Sequence, residues 1–227
     1  MPDEPTQPTP ARRPRAEQDQ AMANRVTVHL ETLTLARDDA EIAALLSPRG
    51  YAASKLEEGL GKQRAAQASI TARQQAIGAQ KDATAKLATA DDLARKAYAD
   101  FRETARSVFQ DDATRAALGL NGKISPDTQK FITATRASYD AALANASQLA
   151  GLAPYGYAQT AIEAARATLD ALIAANTAQD SAIAAATRAT QQRDAAVSAL
   201  DAWLRQFRGI AKVALRARPD LQKKLGV

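Results

Sequence analysis

Cysteine is absent from the chain, and histidine occurs once, as His29. The first absence excludes disulfides, thiolate catalysis, iron–sulfur clusters and cysteine-ligated zinc. The second excludes any metal motif that needs two imidazoles. Aromatic residues make up 4% of the chain, and Leu, Ile, Val and Phe together only about 18%, a low supply of bulky core. No run of about 18 apolar residues occurs, so no membrane span is expected. The opening MPDEPTQPTP has no apolar stretch, so no signal peptide is expected either, and the expected compartment is the cytoplasm. P-loops, dinucleotide fingerprints and serine-nucleophile motifs are missing, as are the Glu-x-x-His pairs of a dimetal bundle. The expectation is a protein that is not an enzyme, with no catalytic residue, no metal ligand and no cofactor.

What is present is alanine, roughly 56 of the 227 residues. Ala is the best helix former, and with only ten Gly, nine Pro and few β-branched runs the composition predicts an all-α fold. Residues 1–16 are Pro-, Thr- and Gln-rich and are expected to form a disordered arm. Helix is expected from Glu17. Asp38 and Asp39 are placed to cap a short helix, Ala40 to Leu46, which Ser47-Pro48-Arg49-Gly50 ends. From Tyr51 to about Gln110 there is no Pro, which predicts one very long helix. A bend near Gly78 fits within that helix; a break at Thr89-Ala90-Asp91-Asp92 is the alternative. Asp111-Asp112 reads as the cap of a short helix ending at Leu118-Gly119, followed by an Asn121-Gly122 turn. Ser125 then reads as an N-cap with Pro126 at the first helical position, and that helix is expected to run to about Leu152. After Pro154-Tyr155-Gly156 a second long helix runs from Tyr157 to about Arg216, and Pro219 opens a last short one closed by Gly226.

The chain repeats itself at an offset of 106 residues. Leu46-Ser47-Pro48-Arg49-Gly50-Tyr51 falls on Leu152-Ala153-Pro154-Tyr155-Gly156-Tyr157, and Phe101-Arg102 falls on Phe207-Arg208. One residue further on, Leu118-Gly119-Leu120 matches Leu225-Gly226-Val227. The simplest reading is a duplicated helical hairpin, residues 17–120 and 121–227, forming one elongated helical bundle or antiparallel coiled coil. The Pro-x-Gly-Tyr turn at 154–157, the aromatic segment of Trp203 and Phe207 and the terminal Leu-Gly-hydrophobic tripeptide carry a resemblance. Over residues 26–227 the chain resembles a group of bacterial Ala-rich helical-bundle proteins. The resemblance implies the fold and implies no activity.

In the second long helix a seam with alternating steps of three and four runs from Ile162 to Ala214. Its ends are apolar and its middle is polar, with Asn176, Gln179, Thr190 and Arg193. These four are expected to fix register or to meet a partner. Tyr98, Phe101 and Phe109 in one copy, and Trp203 and Phe207 in the other, are expected to supply most of the stability, with Phe101, Trp203 and Phe207 at helix interfaces. His29 reads as a surface or partly buried helical histidine.

The net charge of +5 is concentrated after Leu200, where Arg205, Arg208, Lys212, Arg216, Arg218, Lys223 and Lys224 face only Asp201 and Asp220. These cations complement helix carbonyl ends. Arg208, Lys212, Arg216, Arg218, Lys223 and Lys224 are also candidate phosphate contacts, and Arg12-Arg13-Pro14-Arg15 is a second basic run. The leading functional expectation is a structural or scaffolding protein that associates with itself or with another helical protein. The alternative is sequence-independent nucleic-acid binding through the basic C-terminal end, although no aromatic interleaving or recognition helix accompanies it. A granule- or membrane-surface role is the second alternative; the Ala-dominated faces are narrow for it.

Overall fold

The computed structural model describes residues 15–227, and every regular element among them is helical. The expected arm therefore lies outside the described residues except for its last two positions, which already belong to α1 (Arg15–Asp38). Helix α2 (Ala40–Leu46) starts where expected: the Asp39 carboxylate accepts from the amides of Glu41 and Ile42 at 3.0 and 3.1 Å. A 3-10 turn, Ser47–Arg49, closes on Gly50 at φ 87°, a left-handed conformation that suits glycine.

Helix α3 (Ala53–Val108) is 56 residues long and unbroken. The alternative break is not realised. At Gly78 the helix continues, and at Thr89 the hydroxyl donates back to the Ala85 carbonyl at 3.1 Å rather than capping a new helix. Asp91 turns forward to pair with Arg95 at 2.7 Å. Helix α4 (Asp112–Ala117) is capped by Asp111, which accepts from the Thr114 amide at 2.7 Å.

Two expectations need correction here. The next helix, α5 (Thr128–Ala144), is capped by Asp127 and not by Ser125: Asp127 accepts from the Lys130 amide at 2.8 Å, while Ser125 accepts from the Asp127 amide. Nor does this helix reach Leu152. Asn145 leaves it in an extended conformation and caps a separate α6 (Ala146–Leu152), accepting from the amides of Ser147 and Gln148. After a 3-10 turn at Ala153–Tyr155 and Gly156 at φ 90°, α7 (Gln159–Ala214) is again an unbroken 56 residues. Helix α8 (Pro219–Leu225) ends on Gly226 at φ 72°.

The elements recur at the offset seen in the sequence. Helices α2 and α6, the two 3-10 turns, and α3 and α7 each lie 106 residues apart with equal lengths. The turn bond from the Tyr51 amide to the Leu46 carbonyl, 3.2 Å, reappears from Tyr157 to Leu152 at 3.3 Å.

The described residues form two compact units, one of residues 15–76 together with Thr187–Val227, the other Ile77–Ala186. In the first, α1, α2 and the start of α3 pack against the end of α7 and α8. Leu33, Leu46, Leu56, Leu60, Leu200, Leu204 and Phe207 are its buried core. Tyr51 packs edge-on against Trp203 and Phe207, with ring centroids 5.6 and 5.2 Å apart. In the second, α5 and the end of α3 pack against the start of α7. Phe101 sits against Tyr139 and Tyr157 at 5.1 and 5.4 Å, with Phe131 beside Tyr98. Interlocked rings contribute beyond their buried area, and this compensates for the small area that alanines bury. No helix among the described residues is long and apolar enough to cross a membrane.

Candidate functional sites

The first unit carries a basic groove between α1 and the end of α7. It is lined by Arg25, His29, Asp201, Leu204, Arg205, Arg208 and Lys212, with a volume of about 440 Å³. Val26 and Leu33 turn the inner face of α1 toward the core, and the helical period brings His29 down between them. His29 is only 4% exposed, not a surface residue. The Arg208 guanidinium lies 3.3 Å from its Nδ1. A guanidinium only donates, so Nδ1 is the acceptor and the neutral ring carries its proton on Nε2. Burial, and then the Arg208 charge, push the His29 pKa down. Asp201 binds Arg25 at 3.0 Å. Arg205 and Lys212 are exposed and have no ion pair among the described residues.

Of the six candidate phosphate contacts, then, only Arg208 and Lys212 share a groove. Arg218 is tied to Glu41 and to Asp220, the latter at 2.8 Å, and Lys224 binds the capping carboxylate of Asp39 at 2.6 Å. The Asp39 carboxyl is held below its usual value first by Lys224 and then by the Ile42 amide. Arg216 and Lys223 are exposed without an ion pair among the described residues. The sequence reading missed Arg25 and His29 as members. They come from a helix some 180 residues away in the chain, and only the helix pairing brings them in.

The second unit has the same groove at corresponding positions: Ala99, Arg102, Glu103 and Arg106 stand where Arg205, Arg208, Gly209 and Lys212 stand in the first. There the groove is also open, at about 530 Å³, but two of its guanidiniums reach into the chain's own backbone. Arg102 is buried and donates to the Leu120 carbonyl at 2.7 Å and to that of Gly122. Arg106 donates to the Leu120 carbonyl through Nε at 2.9 Å.

The polar seam residues do not form one site. In the first unit Arg73 donates to the Thr190 hydroxyl at 3.2 Å, and Asp19 bridges Arg73 and Arg193 at 2.5 and 2.9 Å. In the second, Gln179 donates to the Thr84 hydroxyl at 3.3 Å and Asn176 is half-buried. Positions 73 and 190 correspond to 179 and 84 at the 106-residue offset, so the same α3–α7 register is pinned twice. Asp19 was not singled out by the sequence; it lies in the first turns of α1, ahead of the apolar pattern. Phe101, Trp203 and Phe207 are all core residues.

The second unit also has an apolar groove on α3 and α7, lined by Ala85, Thr89, Leu93, Ala164, Ala167 and Ala171 with Lys86 at its edge. Leu93 is 58% exposed. At the corresponding face of the first unit, Ala164 and Thr168 become Glu58 and Lys62, which pair with each other at 3.6 Å. Among the described residues no group of three or more His, Asp or Glu is placed to hold a metal ion. No family model matches the chain, no curated protein is similar to it, and no solved structure matches it.

Proposed function

We propose that this is a non-enzymatic helical scaffold that self-associates through the apolar groove of its second unit. The observation that carries the reading is Leu93, largely exposed beside a floor of alanines, where the corresponding face of the first unit is charged. A floor of Cβ atoms lets another helix approach closely, and Leu93 supplies the anchor that the alanines lack. A second copy is the fitting occupant, because the same groove placed on itself across a two-fold axis meets small residues with small residues. On this reading the two halves descend from one duplicated hairpin, and the protein works in the bacterial cytoplasm alongside the Ala-rich bundle proteins it resembles.

Light scattering on the intact protein across a concentration series tests it. The expected result is a dimer that the double variant Leu93→Glu/Ala167→Glu converts to a monomer of unchanged helicity. A wild-type protein that stays monomeric at its highest attainable concentration sinks the reading.

A further inference from the structure

We propose that the groove lined by Arg25, His29, Arg205, Arg208 and Lys212 is a phosphate-binding site. The argument comes from the two matching grooves. In the second unit, Arg102 and Arg106 donate to the chain's own carbonyls at Leu120 and Gly122. In the first, Arg208 and Lys212 occupy the same positions, and two further cations, Arg25 and Arg205, are added. Among the described residues, Arg208 reaches only the His29 ring, and Lys212 and Arg205 have no ion pair.

Four cations against one carboxylate, Asp201, leave a local excess of positive charge. Neutral carbonyls accept hydrogen bonds from two guanidiniums; they do not neutralise four cations converging on one groove. A doubly charged tetrahedral anion does, accepting charge-assisted hydrogen bonds from several sides. Arg205, Arg208 and Lys212 recur at steps of three and four along α7, which aligns them on one face. Arg25 reaches the groove from α1, so an anion there is gripped from two helices. The volume of about 440 Å³ falls within the range of small-ligand sites. The phosphate belongs either to a small molecule or to a nucleic-acid backbone, and the chemistry of the grip is the same for both. The site is independent of the association groove, which lies in the other unit.

His29 is the only histidine in the chain and therefore a single-resonance reporter for NMR. Its charged form is disfavoured by burial, Arg208 and Arg25 and favoured by Asp201. An anion held on Arg205, Arg208 and Lys212 offsets the cations, so the His29 pKa rises on binding. The experiment titrates the full-length protein with inorganic phosphate, pyrophosphate and a short single-stranded DNA, at constant ionic strength held with chloride. The expected result is a saturable His29 shift and an upward move of its titration. Arg205→Ala/Lys212→Ala is expected to weaken binding about tenfold or more, whereas Arg216→Ala/Lys223→Ala leaves it unchanged. A response to pyrophosphate or phosphate assigns a small-molecule ligand. A response to DNA alone, with the same variant pattern, assigns a nucleic-acid backbone. A His29 signal that none of the three probes moves overturns the proposal, and so does equal weakening by the two double variants.

Discussion

Gly59 and Trp203 show how the two copies have diverged one side chain at a time. A Cβ placed on Gly59 would lie 2.5 to 2.7 Å from three atoms of the Trp203 ring. At the 106-residue offset the corresponding residues are Ala165 and Ala97. One unit thus pairs none with large where the other pairs small with small. Trp203 is buried between Gly59, Tyr51 and Phe207 and has little room to yield. Gly59→Ala gains about 1 kcal/mol of helix propensity but overpacks a rigid ring, at about 1–3 kcal/mol. The expected net effect is destabilisation, measured by urea unfolding. In a Trp203→Leu background the obstruction is gone, so the same substitution should turn stabilising. A Gly59→Ala effect of the same sign and size in both backgrounds would show that the indole ring is not the cause.

At the scale of elements, the caps decide where helices begin. Asn145 separates α5 from α6 as Asp39 separates α1 from α2, each accepting from two amides of the following helix. Asn145→Ala removes both bonds and should cost about 1 kcal/mol, while Asn145→Asp should retain most of the stability. Thermal unfolding followed by circular dichroism checks both, and an alanine variant as stable as wild type would remove the capping role. The break at Asp39 was legible because two adjacent aspartates precede an apolar run. The break at Asn145 was not, because a lone Asn among Ala and Ser reads as tolerable helix. The signal was nevertheless present: the repeat that aligns the two Pro-x-Gly turns also aligns Asn145 with Asp39. The long helices were legible from the absence of proline. The alternative break at Thr89–Asp92 lost because Thr89 and Asp91 found partners within the helix. Half of the basic groove was legible too, since Arg208 and Lys212 lie on the cation-rich end. Arg25 and His29 were not, because no local pattern on α1 announces which helix it meets.

At the scale of the whole molecule, neither core is supplied by one half of the chain. In the first unit, Tyr51, Leu56 and Leu60 from the first hairpin are covered by Leu204, Trp203 and Phe207 from the second. In the second unit, Tyr98 and Phe101 from the first hairpin are covered by Phe131, Tyr139 and Tyr157 from the second. The repeat unit in the sequence is therefore not the folding unit. Cut between the repeats, a fragment of residues 17–120 keeps its helix propensity and the stacking of Tyr98 on Phe101, but loses every ring that the second repeat packs against them and against Tyr51. A long isolated helix with one apolar face has two ways out: to remain largely unfolded, or to find a second copy. The second route has a specific geometry, because the end of α3 already corresponds to the end of α7. Two copies of the fragment can then each lend their α3 end, with Phe101 taking the place of Phe207. The expected outcome on sedimentation is a helical dimer or an unfolded monomer, with helicity rising on addition of the 121–227 fragment. A monomer of residues 17–120 that unfolds cooperatively would mean that the hairpin is self-sufficient. The exchange of core residues between the two halves would then be a matter of docking rather than of folding.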